Sequence, residues 1–467
     1  MKIICCIKVL LFMILMTFLS ASCKKQDSFL NSKPNEALTT ISSISDISNL
    51  LNNETIFNDQ VVPGLGEVTT DDYFVPDANY VGRLTTTEQN AYIFAKNIFS
   101  ETDQDNDWNY CYGQVYQANV VLDALPKISG SKDDIEAAQA RALFYRSFAF
   151  YNLVQQYSMP YDSTSSKTDL GIVLRLSSDL NDKSNRTTVQ ACYEQILDDL
   201  KKSIHFLPKR TIFPSQPSLG AGYALLARIY LNLYNYNEAF NYSDSSLRIN
   251  GQLTDFNTLI PAPGSYKLTK YSTSVYPLVE DIYHCTINLP GPLSIGSYFV
   301  DSNLVQLYSA NDLRATFFLL PSGPGYKFKG SYEFKNSSGN LYAGLATDEM
   351  YLIRSECEAR NGKISDALSD LNLLLINRYV SGTYQPYTTA NTNSPLSLIL
   401  KERRKELLFR GLRWTDERRL NKDVNTSITV RRIINGNNYT LPPNDPRYAI
   451  QIAFTETTIS GIPNNSR

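Results

Sequence analysis

Residues 394–420, SPLSLILKERRKELLFRGLRWTDERRL, decide how the rest of the chain is read. Pro395 suits the first turn of a helix, where its missing N–H costs little, and Ser394 before it is placed to cap. Leu396, Ile399, Leu400, Leu407 and Leu408 recur at helical spacing and give one apolar face. Arg403 lies on that face. A buried arginine needs a carboxylate, because an unpaired buried charge is very costly. Glu402 and Glu406 in the same helix, and Glu356 and Glu358 upstream, are the expected partners. Gly411 should end or kink the helix, with a second short turn over 413–420. Carboxylates interleaved with the bases argue for internal pairing over a phosphate or nucleic-acid face. The chain as a whole has 44 Lys+Arg against 46 Asp+Glu, without the basic excess of a nucleic-acid binder.

The same residues carry a family resemblance. ERRKELLFRGLRWTDERR resembles the C-terminal signature of the SusD/RagB family of outer-membrane nutrient-uptake lipoproteins, ERR-x-EL-x-x-x-G-x-RW-x-D-x-x-R. Glu402, Arg403, Arg404, Glu406, Leu407, Gly411, Arg413, Trp414, Asp416 and Arg419 match it. Phe409 and Arg410 stand where the family often has a small residue and Glu. YRSFAFYNLVQQYSMP at 145–160 is similar to a second family segment, and the tail after 440 to a third. The resemblance implies a mainly α fold: a tetratricopeptide-type helical-hairpin scaffold with long loop-rich insertions and a few short strands. It marks Arg403, Glu406, Gly411, Trp414 and Asp416 as a structural signature. It further implies a cell-surface protein that captures a glycan or oligosaccharide and delivers it to a SusC-like TonB-dependent transporter. Some relatives take peptides instead, and no cofactor is expected.

Outward from that stretch, the N-terminus reads as a targeting segment. Lys2 and Lys8 precede or flank an apolar run, residues 9–19, too short to span a bilayer. Ser20, Ala21 and Ser22 are small and Cys23 follows, which resembles a lipoprotein signal with Cys23 as the lipidated mature terminus. Ser20 holds the place of the usual lipobox leucine, so cleavage without lipidation stays open. The expected division is a signal at 1–22, a polar tether at 23–40, and one SusD-like domain at 41–467. The implied location is the outer membrane, lipid-anchored and facing the cell exterior.

Helical periodicity is clear from Trp108 to about Leu125, from Asp133 to before Pro160, and from a Thr187–Gln190 capping box to Leu207. Ala227 and Ala239, twelve apart, suggest a tetratricopeptide hairpin over 220–249, with 235–237 as the turn. Ser355 and Ala367 repeat that spacing downstream around Asn361–Gly362. The two copies are too far apart for a tandem array. Scaffold helices are thus expected at about 108–249 and 348–420, separated by a loop-rich, ligand-side insertion at about 251–344. Cys111, Cys192, Cys285 and Cys357 read as buried free thiols.

The composition is rich in Tyr (31) and Phe (21) but has only two Trp. Tyrosine joins an apolar face to a hydroxyl and suits both helix packing and sugar faces. Two segments, 60–84 and 251–344, combine aromatic and polar residues without helical periodicity, and binding residues concentrate on scaffold-held loops. Tyr73, Tyr80, Tyr283 and Tyr298 are the expected stacking platforms, with Asp72 and Arg83 as hydrogen-bonding groups. Nothing marks an enzyme: no P-loop, nucleophile elbow, HExxH or zinc spacing is present. His205 and His284 are the only histidines. Asp71–Asp72 and Glu280–Asp281 are adjacent pairs, which point to opposite faces of an extended chain and form no dyad. The rival readings are a tetratricopeptide scaffold lipoprotein for envelope assembly and a secreted hydrolase.

Overall fold

The computed structural model describes residues 41–261, 268, 278–333 and 340–467. Cys23, the signal and the tether lie outside these.

The architecture is a stack of helices with two-stranded β elements inserted. The first long helices are α1 (Asn106–Ala124) and α2 (Lys132–Tyr157). Asp105 and Ser131 cap them, accepting amides of the first turn. From Ala142 to Tyr157 every residue of α2 is buried, so this helix runs through the core and needs no polar face. Its one buried cation there, Arg146, is bound on both arms by Asp199, each at 2.7 Å. Asp199 belongs to α3 (Val189–Ser203), which packs along α2. The cap of α3 is Thr188, one residue later than the capping box placed it.

Two helical hairpins complete the scaffold: α4 (Leu219–Asn232) with α5 (Tyr236–Ile249), and α6 (Thr347–Arg360) with α7 (Ile364–Leu375). Ala227, Ala239, Ser355 and Ala367 are fully buried at the close approaches. The Ser355 hydroxyl donates to the Ala367 carbonyl at 2.7 Å, which ties α6 to α7. Although about a hundred residues apart in sequence, the hairpins stack directly, α5 against α6. Arg354 bridges them to Asp244 at 2.8 Å. The insertion therefore leaves and re-enters an otherwise continuous helical stack. Its way back is fixed by strand Asp281–Tyr283 pairing antiparallel with Leu345–Ala346.

The signature stretch forms α8 (Pro395–Glu406) and α9 (Arg413–Leu420). Ser394 makes no side-chain cap bond, and the helix ends at Glu406, five residues before Gly411. Leu407 and Leu408 thus leave the helical face assigned to them and bury themselves in the turn. That turn uses left-handed backbone at Phe409 (φ 56°) and Gly411 (φ 70°), the latter where a side chain would be strained. The partner of Arg403 is Asp416, at 2.7 Å, and none of the four glutamates expected. The turn brings Asp416, a carboxylate thirteen positions downstream, onto the guanidinium.

Segment 60–84 is less irregular than its composition suggests. It holds a helical turn at Leu65–Val68 and a short helix at Asp77–Arg83, which carries Tyr80 and Arg83. Free cysteines Cys111, Cys192, Cys285 and Cys357 are all buried.

Candidate functional site

The site grows from a repeated tripeptide. Tyr73-Phe74-Val75 and Tyr298-Phe299-Val300 both read YFV, and the two copies meet. Strand β1 (Tyr73–Phe74) pairs antiparallel with β2 (Phe299–Val300), Tyr73 opposite Val300 and Phe74 opposite Phe299. Side chains alternate across a strand, so one member of each pair must face the core. Tyr73 is 1% exposed and donates its hydroxyl to the Val68 carbonyl at 2.7 Å. Tyr298 is fully buried and meets Tyr73 edge-on at 5.7 Å. The phenylalanines take the outer face. Phe74 is 42% exposed and stacks on Phe299 with ring centroids 5.7 Å apart and planes 28° apart.

Neighbouring groups build the rim of this pair. In hairpin β3 (Leu319–Ser322) to β4 (Gly325–Phe328), Gly325 lies against Phe299; a Cβ there would stand 3.1 Å from the ring. Lys327 places Nζ 5.1 Å over the Phe299 ring and donates to the Ile295 carbonyl. Burial lowers the Lys327 pKa, and the nearby positive charge of Arg83 adds to that. Asn79, on the helix Asp77–Arg83, donates to the Ser297 carbonyl at 3.0 Å and to Gly296 at 3.3 Å. Those bonds set Arg83 against Gly296, where a Cβ would lie 2.6 Å from Nη1. The result is an open aromatic face with two cations beside it.

The expected ligand residues separate accordingly. Segments 60–84 and 251–344 do meet, but through strand pairing that buries Tyr73 and Tyr298 and cannot offer them as platforms. Tyr283 is buried on the scaffold side, edge-on to Phe144 and Phe148, with its hydroxyl on the Phe57 carbonyl. Asp72 is turned inward to Arg404 at 2.8 Å. Tyr80 is half-buried, its hydroxyl on the Gln89 carbonyl at 3.3 Å and its ring against Tyr92. Of the six, Arg83 alone is exposed beside the aromatic pair. Sequence reasoning missed Phe74, Phe299 and Lys327. The signal available was the repeated YFV, since strand parity puts the second aromatic opposite the first.

The signature residues make a different kind of site. Asp416 holds Arg403 at 2.7 Å and Arg419 at 2.9 Å; Arg419 also grips Glu356 at 2.6 and 2.8 Å. Burial works to raise the Asp416 pKa, but the two arginines prevail and hold it at about 2. Glu406 receives Arg378 at 2.7 Å and Arg314 at 3.0 Å, and Arg378 continues to Glu280 at 2.9 Å. Trp414 donates Nε1–H to the Gln155 carbonyl of α2 and its backbone amide to Glu67. Gly66 lies flat on the indole; a Cβ would stand 2.6 Å from it. Arg410, at a departure from the family pattern, pairs with Asp348 at 3.0 Å between the Tyr332 and Tyr342 rings. His284 is buried between Asp281 and Glu333, which raise its pKa to about 9 against the effect of burial. A groove of about 700 Å³ beside α8 and α9 has Arg404 and Arg413 in its floor, both already bound by Asp71 and Asp72.

The helical-hairpin scaffold with its inserted two-stranded elements is a fold shared with known proteins. Residues 28–231 match a family described as starch-binding and associating with the outer membrane, and residues 331–461 match the SusD family. The SusD-like protein P2 of Formosa agariphila is 24% identical over 379 residues, 67% of this chain and 71% of that protein. A putative sugar-binding protein from Bacteroides vulgatus superposes with a TM-score of 0.73 at 21% identity, over 91% of this chain and 99% of its own. A SusD superfamily protein from Bacteroides thetaiotaomicron gives 0.71, also at 21% identity, over 91% and 100%. The chain belongs to the SusD/RagB family. That family consists of outer-membrane-associated, cell-surface binding proteins that work with SusC-like transporters.

Proposed function

We propose that this protein captures a glycan or oligosaccharide on the Phe74–Phe299 face and passes it to a SusC-like TonB-dependent transporter, without chemical change to the ligand. The signal at 1–22 is removed, Cys23 carries the lipid anchor, residues 23–40 tether the domain, and the domain faces the cell exterior. Family membership supports the partner and the location. The observation that carries the binding reading is the stacked phenylalanine pair, Phe74 exposed and Phe299 half-buried, drawn from two distant loop segments and rimmed by polar groups. Sugars present apolar C–H faces ringed by hydroxyls, and aromatic faces bury the former while polar rims serve the latter.

The test is calorimetry of the purified protein against a glycan panel, with product analysis for turnover. Phe74→Ala/Phe299→Ala should weaken binding at least about tenfold, the loss expected for two stacking contacts. Its melting temperature should fall only modestly, because Phe74 is exposed and Phe299 half-buried. Unaltered affinity in the double variant would move the ligand elsewhere, and released product would make the protein a hydrolase.

A further inference from the structure

Most of the fully buried arginines among the described residues pair with a carboxylate, while Arg418 and Arg432 are held by carbonyl oxygens instead. Arg146, Arg228, Arg314, Arg378, Arg403 and Arg419 are each bound to at least one carboxylate within 3.0 Å. Among the described residues, neither Arg83 nor Lys327 has such a partner. Of the carboxylates around them, Glu88 accepts the Thr85 and Gly291 amides. Asp72 serves Arg404, and Asp301 accepts the Leu304 amide. Asp77 opens the short helix that Arg83 closes, about 9 Å away along the axis. Lys327 sits over Phe299 and donates to the Ile295 carbonyl, while Arg83 lies against the next residue, Gly296, so the two cations stand side by side. A neutral sugar could be served there by amides and carboxylates; two unneutralised cations beside a stacking platform favour a ligand that brings the counter-charge.

Resting on the binding reading above, we propose that the ligand is an anionic carbohydrate, whose acidic group is held by Arg83 and Lys327 while its ring stacks on Phe74. A guanidinium matches the paired oxygens of a carboxylate or sulfate, and an ammonium adds a mobile point charge. A uronate and a sulfate ester supply the same chemistry, and the experiment separates them.

Four probes are titrated into the purified protein: oligogalacturonate for the uronate, carrageenan oligosaccharide for the sulfate, and maltoheptaose and cellohexaose as neutral references. At least one acidic probe should bind more tightly than both neutral ones, and more weakly as salt rises and shortens the screening length. Arg83→Gln/Lys327→Met, with an unchanged melting temperature, should lose at least about tenfold in affinity for that probe. Failure of both acidic probes to bind overturns the inference. So does an affinity for them that neither salt nor the double variant alters. Phe74→Ala/Phe299→Ala distinguishes the two levels. If neutral probes bind and the phenylalanine variant loses them, the platform stands and only the charge assignment falls. If the phenylalanine variant binds every probe like the parent, the platform itself is wrong.

Discussion

Two regions of this molecule use arginine in opposite ways. Between α8, α9 and the scaffold, Arg314, Arg378, Arg403 and Arg419 are buried, and carboxylates from distant segments close around them. Beside Phe74 and Phe299, Arg83 is exposed and, among the described residues, pairs with no carboxylate. The side chain is the same; the difference is what the fold brings to it. A guanidinium removed from water must be neutralised locally or its desolvation is not offset. One left at the surface keeps its charge available.

The largest expected effect comes from breaking the buried side. Among the described residues, Arg378 is the one cation bound to Glu280, at 2.9 and 3.0 Å. Arg378→Met should strand that carboxylate and lower stability by about 3–5 kcal/mol in urea unfolding. Loss of less than about 1 kcal/mol would show that the network contributes little net energy.

The second effect is a pH dependence set by carboxylates that the fold buries without full neutralisation. Burial raises the Glu67 pKa to about 8, against the Trp414 amide that donates to it. Burial, with the adjacent charge of Asp107, likewise raises Asp105 to about 8. A carboxyl group raised in the native state binds its proton there while the unfolded chain releases it near 4. The stabilisation is therefore complete below pH 4 and is lost as pH rises towards 8. Each pH unit over which only the native state holds the proton is worth up to about 1.4 kcal/mol. Glu67→Gln should flatten this fall between pH 5 and 8 in equilibrium unfolding. An unchanged slope would assign it to other groups.

The smallest effects sharpen the contrast within one strand. Tyr73→Phe removes the hydroxyl bond to Val68 and should cost about 1 kcal/mol without touching glycan affinity. Phe74→Ala should do the reverse, with stability within about 0.5 kcal/mol of the parent and a clear loss of binding. Adjacent residues with exchanged phenotypes would establish the parity of the pair. Equal phenotypes would mean that the strand is not read correctly.

Helices were legible because a periodic pattern repeats its signal every turn. The paired small residues Ala227/Ala239 and Ser355/Ala367 disclosed the hairpins, and the 402–419 signature disclosed the family. Individual contacts were less legible. Arg403 announced its need for a carboxylate, but the turn at 407–411 chose Asp416 over the nearer glutamates. Tyr73 and Tyr298 lie in two segments that meet, but their side chains face the core. Their chemistry favoured a ligand, and only strand pairing determined that the phenylalanine beside each would be the one in solvent.

The sequence by itself thus determined the helical scaffold, the loop-rich insertion and the need of buried arginines for partners, because these follow from periodicity, composition and the cost of charge in a core. Tertiary structure alone decided which carboxylate met which arginine, and which aromatic faced outward. Those outcomes depend on a helix ending five residues early and on the pleat of two-residue strands. Neither leaves a trace in spacing along the chain: the first follows from the backbone turn at 407–411, and the second from segments more than two hundred positions apart, as Phe74 and Phe299 are.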